Sequence, residues 1–229
     1  MKIGGFEACT VTDFPNKVAS IIFTVGCNFR CPYCYNKDLL SEQNFSESNR
    51  KEIPKQNILD YLDKYKDMID GVVLTGGEPL IHTNIVDLIT TIKWRGFSVK
   101  LDTNGSNPEL LNVLLLNDYI DYVAMDIKAP PHLYPEFVGY SNYENIKKSI
   151  ELLKTTKVPH EFRITLYSAL TKEMVVQMIK MVPGETVYIQ KFNPTHAQDA
   201  YARTLIPMPK EDIDYIINET KDIAKVAVR

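Results

Sequence analysis

The chain has 229 residues, of which 45% are hydrophobic, and its formal net charge is −3 at pH 7. This length and composition allow one sizeable core, so we predict a single domain over residues 1–229. A sequence pI near 5.9 gives no basic surface for nucleic acid, and the lack of an apolar run of about 18 residues or of an apolar leader predicts a soluble cytoplasmic protein.

Short apolar segments and amphipathic segments alternate about six times along the chain. The apolar segments are predicted to be strands at 18–25, 71–75, 97–101, 119–126, 161–166 and 186–192. The amphipathic segments are predicted to be helices that begin near 54, 85, 108, 143, 172 and 209, and the last helix closes the chain. A short strand and a turn precede the first of these strands, and polar residues 37–53 are predicted to be a solvated surface segment. Repeated βαβ units of this kind form a parallel sheet with helices outside it.

Three of the four cysteines lie on the loop after the first apolar strand, at Cys27, Cys31 and Cys34. Soft thiolates on one loop suit an iron–sulfur cluster, and three ligands instead of four leave one iron open to a substrate. Two alternatives stay open, a zinc site and inert thiols. Zinc needs further ligands, but the spare Cys9 lies eighteen positions upstream and the next histidine, His82, is far downstream.

Polar motifs also follow other predicted strands, and each has an ordinary structural explanation. The Gly-Gly-Glu-Pro stretch at 76–79 resembles a simple turn, and the Asp-Thr-Asn-Gly stretch at 102–105 resembles an Asx turn capping the next helix. Arg163 alternates with apolar neighbours, so a position facing the interior would require an anionic partner, either a cofactor carboxylate or a buried Glu. His82 and His132 are expected on loop surfaces. Because the carboxyl ends of parallel strands meet at one edge, we predict one site built from these loops.

The cysteine spacing, with an aromatic residue at Tyr33, resembles the signature of the radical S-adenosylmethionine (radical SAM) enzymes. The resemblance implies a partial (β/α)6 barrel and a [4Fe-4S] cluster held by the three cysteines. It also implies that the open iron binds S-adenosylmethionine (SAM), which is cleaved to methionine and a 5′-deoxyadenosyl radical.

The same resemblance implies roles for the motifs at the strand ends. Gly76, Gly77, Glu78 and Pro79 match a family motif that holds the amino group of the methionine moiety. The stretch Asp102, Thr103, Asn104 and Gly105 is similar to that of activating enzymes for glycyl radical proteins, where it contacts the cofactor.

In that group, the residue at Asp126 is placed at the ribose hydroxyls and the residue at Lys128 near the SAM carboxylate. The first two residues of the Asp-Thr-Asn-Gly stretch can also hold a monovalent cation, here with the carbonyl of Ala124 or Met125. Asn193 stands close to a position where relatives carry His, so it is a further candidate contact.

Residues 2–7, 13–18 and 121–130 resemble activating proteins of anaerobic ribonucleoside-triphosphate reductase. This implies a glycyl radical enzyme as protein substrate and a reduced flavodoxin or ferredoxin as electron donor. Tyr35 departs from the pattern, since many relatives have His there, and it could alter hydrogen bonding to the cluster. A radical SAM enzyme acting on a small molecule, such as a deazaguanine precursor, and a non-catalytic zinc-stabilised binding module are the alternatives.

Overall fold

The computed structural model describes residues 1–196 and 200–229, and these contain one sheet of eight strands in the order β1 to β8. The strands are β1 Ile3–Thr10, β2 Ala19–Thr24, β3 Gly71–Gly76, β4 Ser98–Thr103, β5 Tyr122–Asp126, β6 His160–Leu166, β7 Thr186–Lys191 and β8 Lys225–Val228. In the part of the chain that the structure describes, neighbours from β2 to β8 are parallel, and only β1 pairs antiparallel. The six predicted strands correspond to β2–β7, which confirms the α/β fold of a partial barrel.

Helices connect the parallel strands. They are α1 Glu42–Glu47, α2 Lys55–Lys64, α3 Ile85–Lys93, α4 Pro108–Leu116, α5 Tyr134–Val138, α6 Tyr143–Thr155, α7 Lys172–Ile179 and α8 Lys210–Thr220. The start of α4 is typical, because Pro108 occupies the first turn and the Asn107 side chain accepts from the Leu110 N–H. In the described parts of the chain, no helix has the length and apolar character needed to cross a membrane.

The two faces of the sheet differ in chemistry because side chains alternate along each strand. Val99 and Leu101 of β4 are fully buried in the large core shared with the helices, for example with Leu88 of α3. The intervening Lys100 and Asp102 point to the opposite, concave face. A small cluster of Phe14, Ala19, Ile21 and Val73 fills that face near the amino ends of β2 and β3, which leaves its carboxyl end to polar groups.

Two predictions about the fold were wrong. The chain does not close with a helix, because Lys225–Val228 forms β8 and pairs with β7, with Val187 opposite Val226. The segment 37–53 is not simply solvated, because Leu39 and Phe45 are buried and pack with Val25. The last strand therefore extends the parallel sheet beyond β7, and the segment 37–53 contributes buried residues to the structure.

Candidate active site

The cysteine loop leaves β2 at its carboxyl end and is fixed by the segment just before α1. The N–H groups of Gly26 and Cys27 donate to the carbonyls of Leu39 and Leu40 at 2.7 and 3.0 Å. Within the loop, the Cys34 N–H donates to the carbonyl of Cys31 at 3.2 Å. These bonds define the loop's position through the backbone.

The three thiols of the loop are partly buried, and burial raises the pKa of each. The pKa of Cys27 rises to about 12 and that of Cys31 to about 11, and the pKa of Cys34 is also raised. The thiols are therefore protonated at neutral pH and would release their protons on binding iron. Cys9, by contrast, is exposed on the edge strand β1.

A cavity of about 430 Å³ lies at the carboxyl ends of the parallel strands. Of the predicted site residues, its wall includes Cys27, Cys31, Cys34, Tyr33, Gly76, Gly77, Glu78, Asp102, Thr103, Asn104, Asp126, Lys128 and Arg163. Pro79 and Asn193 are not in the wall. The structure thus brings residues from five separate stretches of the chain to one space.

The thiols fit an iron–sulfur cluster better than a single ion. Within residues 1–196 and 200–229, no three His, Cys, Asp or Glu side chains are placed to hold one metal ion together. In a cubane cluster each thiolate binds its own iron, so the three sulfurs do not need to meet at one point.

The glycines after β3 bring this loop into direct contact with the start of the cysteine loop. The N–H of Gly77 donates to the Thr24 carbonyl at 2.9 Å, and the N–H of Glu78 donates to the Gly26 carbonyl at 2.8 Å. A Cβ atom on Gly77 would lie 2.0 Å from the Gly26 carbonyl oxygen, and Gly76 has a φ of +110°. Only glycine allows this approach without a backbone shift.

The Glu78 carboxylate is buried and holds neighbouring loops together. Its oxygens accept from the N–H of Leu80 at 3.0 Å, the Thr103 hydroxyl at 2.7 Å and the N–H of Asn104 at 2.6 Å. Burial raises the pKa of Glu78 to about 7, although these hydrogen bonds favour the charged form. The following Pro79 is buried at the start of a short 3-10 helix. The carboxylate therefore joins the ends of β3 and β4, a contact that its predicted role at the cofactor did not include.

Asn104 connects the end of β4 to the cysteine loop. Its side-chain oxygen accepts from the N–H of Ser106 at 2.9 Å, which confirms the Asx turn. Its amide nitrogen donates to the side-chain oxygen of Asn28 at 3.0 Å, between the first two cysteines. The predicted capping of the next helix is wrong, because Asn107 caps α4 instead.

Five alternating charges run from β4 to β6, and we call Lys100, Asp102, Arg163, Asp126 and Lys128 the charge chain. All of them except Lys100 line the cavity. Lys100 pairs with one oxygen of Asp102, and Arg163 Nη1 donates to the other at 3.0 Å. Arg163 Nε and Nη2 donate to the Asp126 oxygens at 2.8 and 3.3 Å, and Lys128 Nζ donates to Asp126 Oδ2 at 3.0 Å. The sheet produces this order because Asp126 is in register with Arg163.

Neighbouring charges in the charge chain shift the pKa values of Asp126 and Lys128. Burial alone would raise the pKa of Asp126, but Arg163 and Lys128 outweigh it and lower the pKa to about 2. Burial would lower the pKa of Lys128, but Asp126 outweighs it and the pKa is raised. Counted as ion pairs, the three cations and two carboxylates of the charge chain leave one positive charge in excess.

Arg163 does face the interior and has anionic partners. These protein partners are two aspartates of neighbouring strands instead of a buried Glu, and the contact with a cofactor carboxylate stays a prediction. The predicted ligands of a monovalent cation are also already bonded: both Asp102 oxygens accept from cationic side chains, and the Thr103 hydroxyl donates to Glu78. A cation there would lie against the Lys100 and Arg163 cations, so these residues do not fit a bound cation.

The aromatic residues of the cysteine loop pack inward. The Tyr33 ring is buried 4.5 Å from the ring of Tyr167, with Lys128 Nζ 5.5 Å from its centre. The Tyr35 ring is stacked on Phe192, and its hydroxyl accepts from the N–H of Asn193 at 2.8 Å.

Two predictions outside the cavity wall need correction. The side-chain oxygen of Asn193 accepts from the N–H and hydroxyl of Thr195, so it forms a local turn instead of a cavity contact. His82 is not a surface residue only, because it is half-buried and its Nε2 donates to the Val25 carbonyl at 2.9 Å. Burial lowers the pKa of His82. His132 is exposed, as predicted.

Some residues of the site were missed at the level of sequence. Lys100 is buried two positions before Asp102, a spacing that places both on one face of β4. Thr165, Gln190 and Arg229, from β6, β7 and the residue after β8, line the cavity. The alternation of Gln190 with apolar residues was a usable signal, whereas Arg229 depended on the unrecognised β8.

Comparison with known proteins shows which family the chain belongs to. Residues 21–182 match the family described as the radical SAM superfamily. A Methanocaldococcus jannaschii protein, provisionally named a glycyl-radical enzyme activating enzyme, is 33% identical over 233 residues that cover 98% of this chain and 91% of that protein. The pyruvate formate-lyase 1-activating enzyme of Escherichia coli is 28% identical over 155 residues, which cover 64% of this chain and 60% of that enzyme.

Among solved structures, the fold is similar to that of SuiB from Streptococcus suis in its SAM-bound crystal form. The TM-score is 0.66 at 14% identity, and the similarity covers 91% of this chain and 49% of SuiB. The chain thus spans about half the length of that protein, and the likeness concerns the fold. The chain belongs to the radical SAM superfamily of enzymes, and this membership implies a [4Fe-4S] cluster and SAM as its cofactors.

Proposed function

We propose that this enzyme generates a glycyl radical on a partner enzyme, and that Cys27, Cys31 and Cys34 hold the [4Fe-4S] cluster. The observation that carries the proposal is the shared cavity, in which three thiols on one loop face a positively charged wall at the ends of the parallel strands. The full-length likeness to a protein named as a glycyl-radical enzyme activating enzyme supports the substrate class.

We assign the binding surface for SAM to the other wall residues. Gly76 and Gly77 expose backbone to the cavity, which suits the amino group of the methionine moiety. The excess positive charge of the charge chain suits the carboxylate of SAM. We assign that contact to Lys128, the member of the charge chain that lies beside the Tyr33 ring. Asp102, Thr103, Asn104 and Asp126 are held by hydrogen bonds within the wall, and we assign them to its polar lining.

When bound, the cluster and SAM supply the electron and the adenosyl radical that removes a hydrogen atom from a glycine Cα. The residues of this chain orient the bound groups and exclude water. The ring of Tyr33 lines the cavity and packs on the buried ring of Tyr167, and these rings lower the local dielectric constant around the charged groups.

The part of the cavity wall formed by Thr165 and Gln190 is the part that we assign to a peptide substrate. Thr165 and Gln190 are paired in register on β6 and β7, and both line the cavity. In residues 1–196 and 200–229, neither side chain forms a hydrogen bond. A hydroxyl beside a primary amide offers donors and acceptors that match the N–H and C=O groups of a polypeptide segment. We assign these two residues to the binding of the partner's glycine segment.

The partner we propose is an anaerobic ribonucleoside-triphosphate reductase, and the electron donor a reduced flavodoxin or ferredoxin. The resemblance of residues 2–7, 13–18 and 121–130 to the activating proteins of that reductase supports this choice. The monovalent cation implied by the same resemblance is not included, because its ligands are already paired within the chain.

The test is anaerobic reconstitution with iron and sulfide, followed by reduction in the presence of SAM and the purified partner. We expect a brown protein, release of 5′-deoxyadenosine, and the doublet electron paramagnetic resonance signal of a glycyl radical on the partner. Cys31→Ala should lose all three, and Cys9→Ala, which alters an exposed thiol outside the cavity, should keep them.

Production of 5′-deoxyadenosine by the Cys31→Ala protein would contradict the cluster assignment. A reconstituted enzyme that cleaves SAM but leaves several glycyl radical enzymes without the doublet would contradict the substrate class and favour a small-molecule substrate. A colourless protein that retains zinc would contradict both.

A further inference from the structure

We infer that the Lys100 ammonium takes the place of a monovalent cation at Asp102, so that SAM binding by this enzyme is independent of sodium and potassium. The inference rests on the proposed site, because it concerns how that site neutralises the SAM carboxylate. It assigns Lys100 as a positioning residue, since its side chain does not line the cavity.

The oxygens that would coordinate a cation at Asp102 already accept or donate hydrogen bonds within the protein. A cation at this point would need the Asp102 carboxylate, the Thr103 hydroxyl and a carbonyl of β5. One carboxylate oxygen accepts from Lys100 and the other from Arg163, and the hydroxyl is bonded to Glu78 and to the N–H of Gly105. A cation would have to share these oxygens with their hydrogen-bond donors and would lie against the Lys100 and Arg163 cations, which repel it.

The pair of Lys100 and Asp102 is largely buried. The side chain of Lys100 is 3% exposed and that of Asp102 is 14% exposed. A lysine held this far from water keeps its charge only with an anionic partner close by, and Asp102 is that partner. Removing the ammonium would leave Asp102 with Arg163 as its remaining cationic partner.

The net charge of the charge chain matches that of one ligand carboxylate with opposite sign. The three cations and two carboxylates of the charge chain leave a single positive charge, which one ligand carboxylate neutralises. An added sodium or potassium ion would restore an excess charge inside a poorly solvated wall, where like charges repel strongly. The lysine therefore supplies, as a fixed group, the charge that a dissolved ion would otherwise supply.

The experiment compares wild type, Lys100→Ala and Lys100→Met. Reconstituted protein is titrated with SAM by calorimetry in sodium, potassium, ammonium or tetramethylammonium chloride at equal ionic strength. The last cation is too large for the space of a lysine ammonium. The melting temperature of the cluster-free protein in the same four salts gives a second measurement that does not depend on activity.

Wild type should bind SAM with the same Kd in all four salts. Lys100→Ala, which leaves space beside Asp102, should bind about tenfold more weakly in tetramethylammonium and recover with the small cations, which should also raise its melting temperature. Lys100→Met should bind as weakly and not recover, because its side chain fills the space. Lys93→Ala removes another lysine–aspartate pair, at 2.7 Å from Asp121, and should show no cation dependence.

A wild-type Kd that improves about tenfold or more with sodium or potassium would overturn the inference, and this measurement decides it even if the variants do not fold. Unchanged SAM binding by Lys100→Ala would also overturn it. If wild type bound no SAM in any salt, the assignment of the cofactor site would fail first, so the two failures are distinguishable.

Discussion

The clearest prediction concerns Arg163, the centre of the charge chain. Its three nitrogens donate to Asp126 and Asp102 at 2.8, 3.0 and 3.3 Å, and its side chain is 13% exposed. Arg163→Met keeps most of the side-chain volume but leaves two carboxylates without their shared partner. Removing one member of a buried ion pair costs about 3–5 kcal/mol, so we expect the free energy of unfolding to fall by that amount.

The assay is urea unfolding of the cluster-free protein followed by circular dichroism at neutral pH. Arg95→Met is the matched control, because Arg95 pairs with Asp63 on the surface, where the Asp63 side chain is 52% exposed. Such a pair contributes less than about 1 kcal/mol. Arg163→Lys should lie between the two variants, because lysine keeps the charge but cannot reach both carboxylates with a planar fork.

A loss of less than about 1 kcal/mol in Arg163→Met would refute the reasoning. It would mean that Lys100 and Lys128 suffice for the two aspartates. The charge chain would then be a row of independent pairs instead of one unit.

Two further predictions concern the loop at the end of β3. The free energy of unfolding of wild type should fall by about 3 kcal/mol as pH rises from about 4.5 to above 7, because Glu78 binds its proton more tightly in the folded state. Glu78→Gln should remove this component of the urea-unfolding pH profile. A profile that the substitution leaves unchanged would contradict the prediction. Gly77→Ala should displace the cysteine loop, lowering the melting temperature and cluster yield, because its Cβ would lie 2.0 Å from a carbonyl oxygen. Gly96→Ala, with a φ of +91° and open space around its Cβ, is the control that tests backbone strain alone, and an equal loss in both would argue against the close contact.

The sequence allowed the six central strands and the position of the cavity to be predicted. Apolar runs bounded by turn residues mark β2 to β7, and parallel topology then places their following loops at one edge. The final strand was missed because Lys225–Val228 is only four residues long and follows a helix. Its identity depends on pairing with β7, which the local pattern does not show.

Side-chain partners within the site were harder to predict than its location. Glu78 and Thr103 are 25 residues apart, and Arg163 and Asp102 are 61 apart, so their bonds depend on strand register. Motif matching gave these residues roles toward the cofactor. It could not show that several of them use their hydrogen-bonding capacity on each other, which is why the predicted cation site does not fit.

The contact between Gly26 and Gly77 has a consequence for the life of the enzyme in the presence of oxygen. The cysteine loop is anchored by backbone hydrogen bonds to residues 39 and 40 and to the loop after β3. A hydrogen bond between the side-chain amides of Asn104 and Asn28 anchors it as well. None of these anchors uses a thiol. In proteins whose folding depends on the metal, damage to the site unfolds the chain. Here oxidative loss of a cluster should leave the loop in place, so that rebuilding the cluster requires iron, sulfide and a reductant for any oxidised thiol, but no refolding.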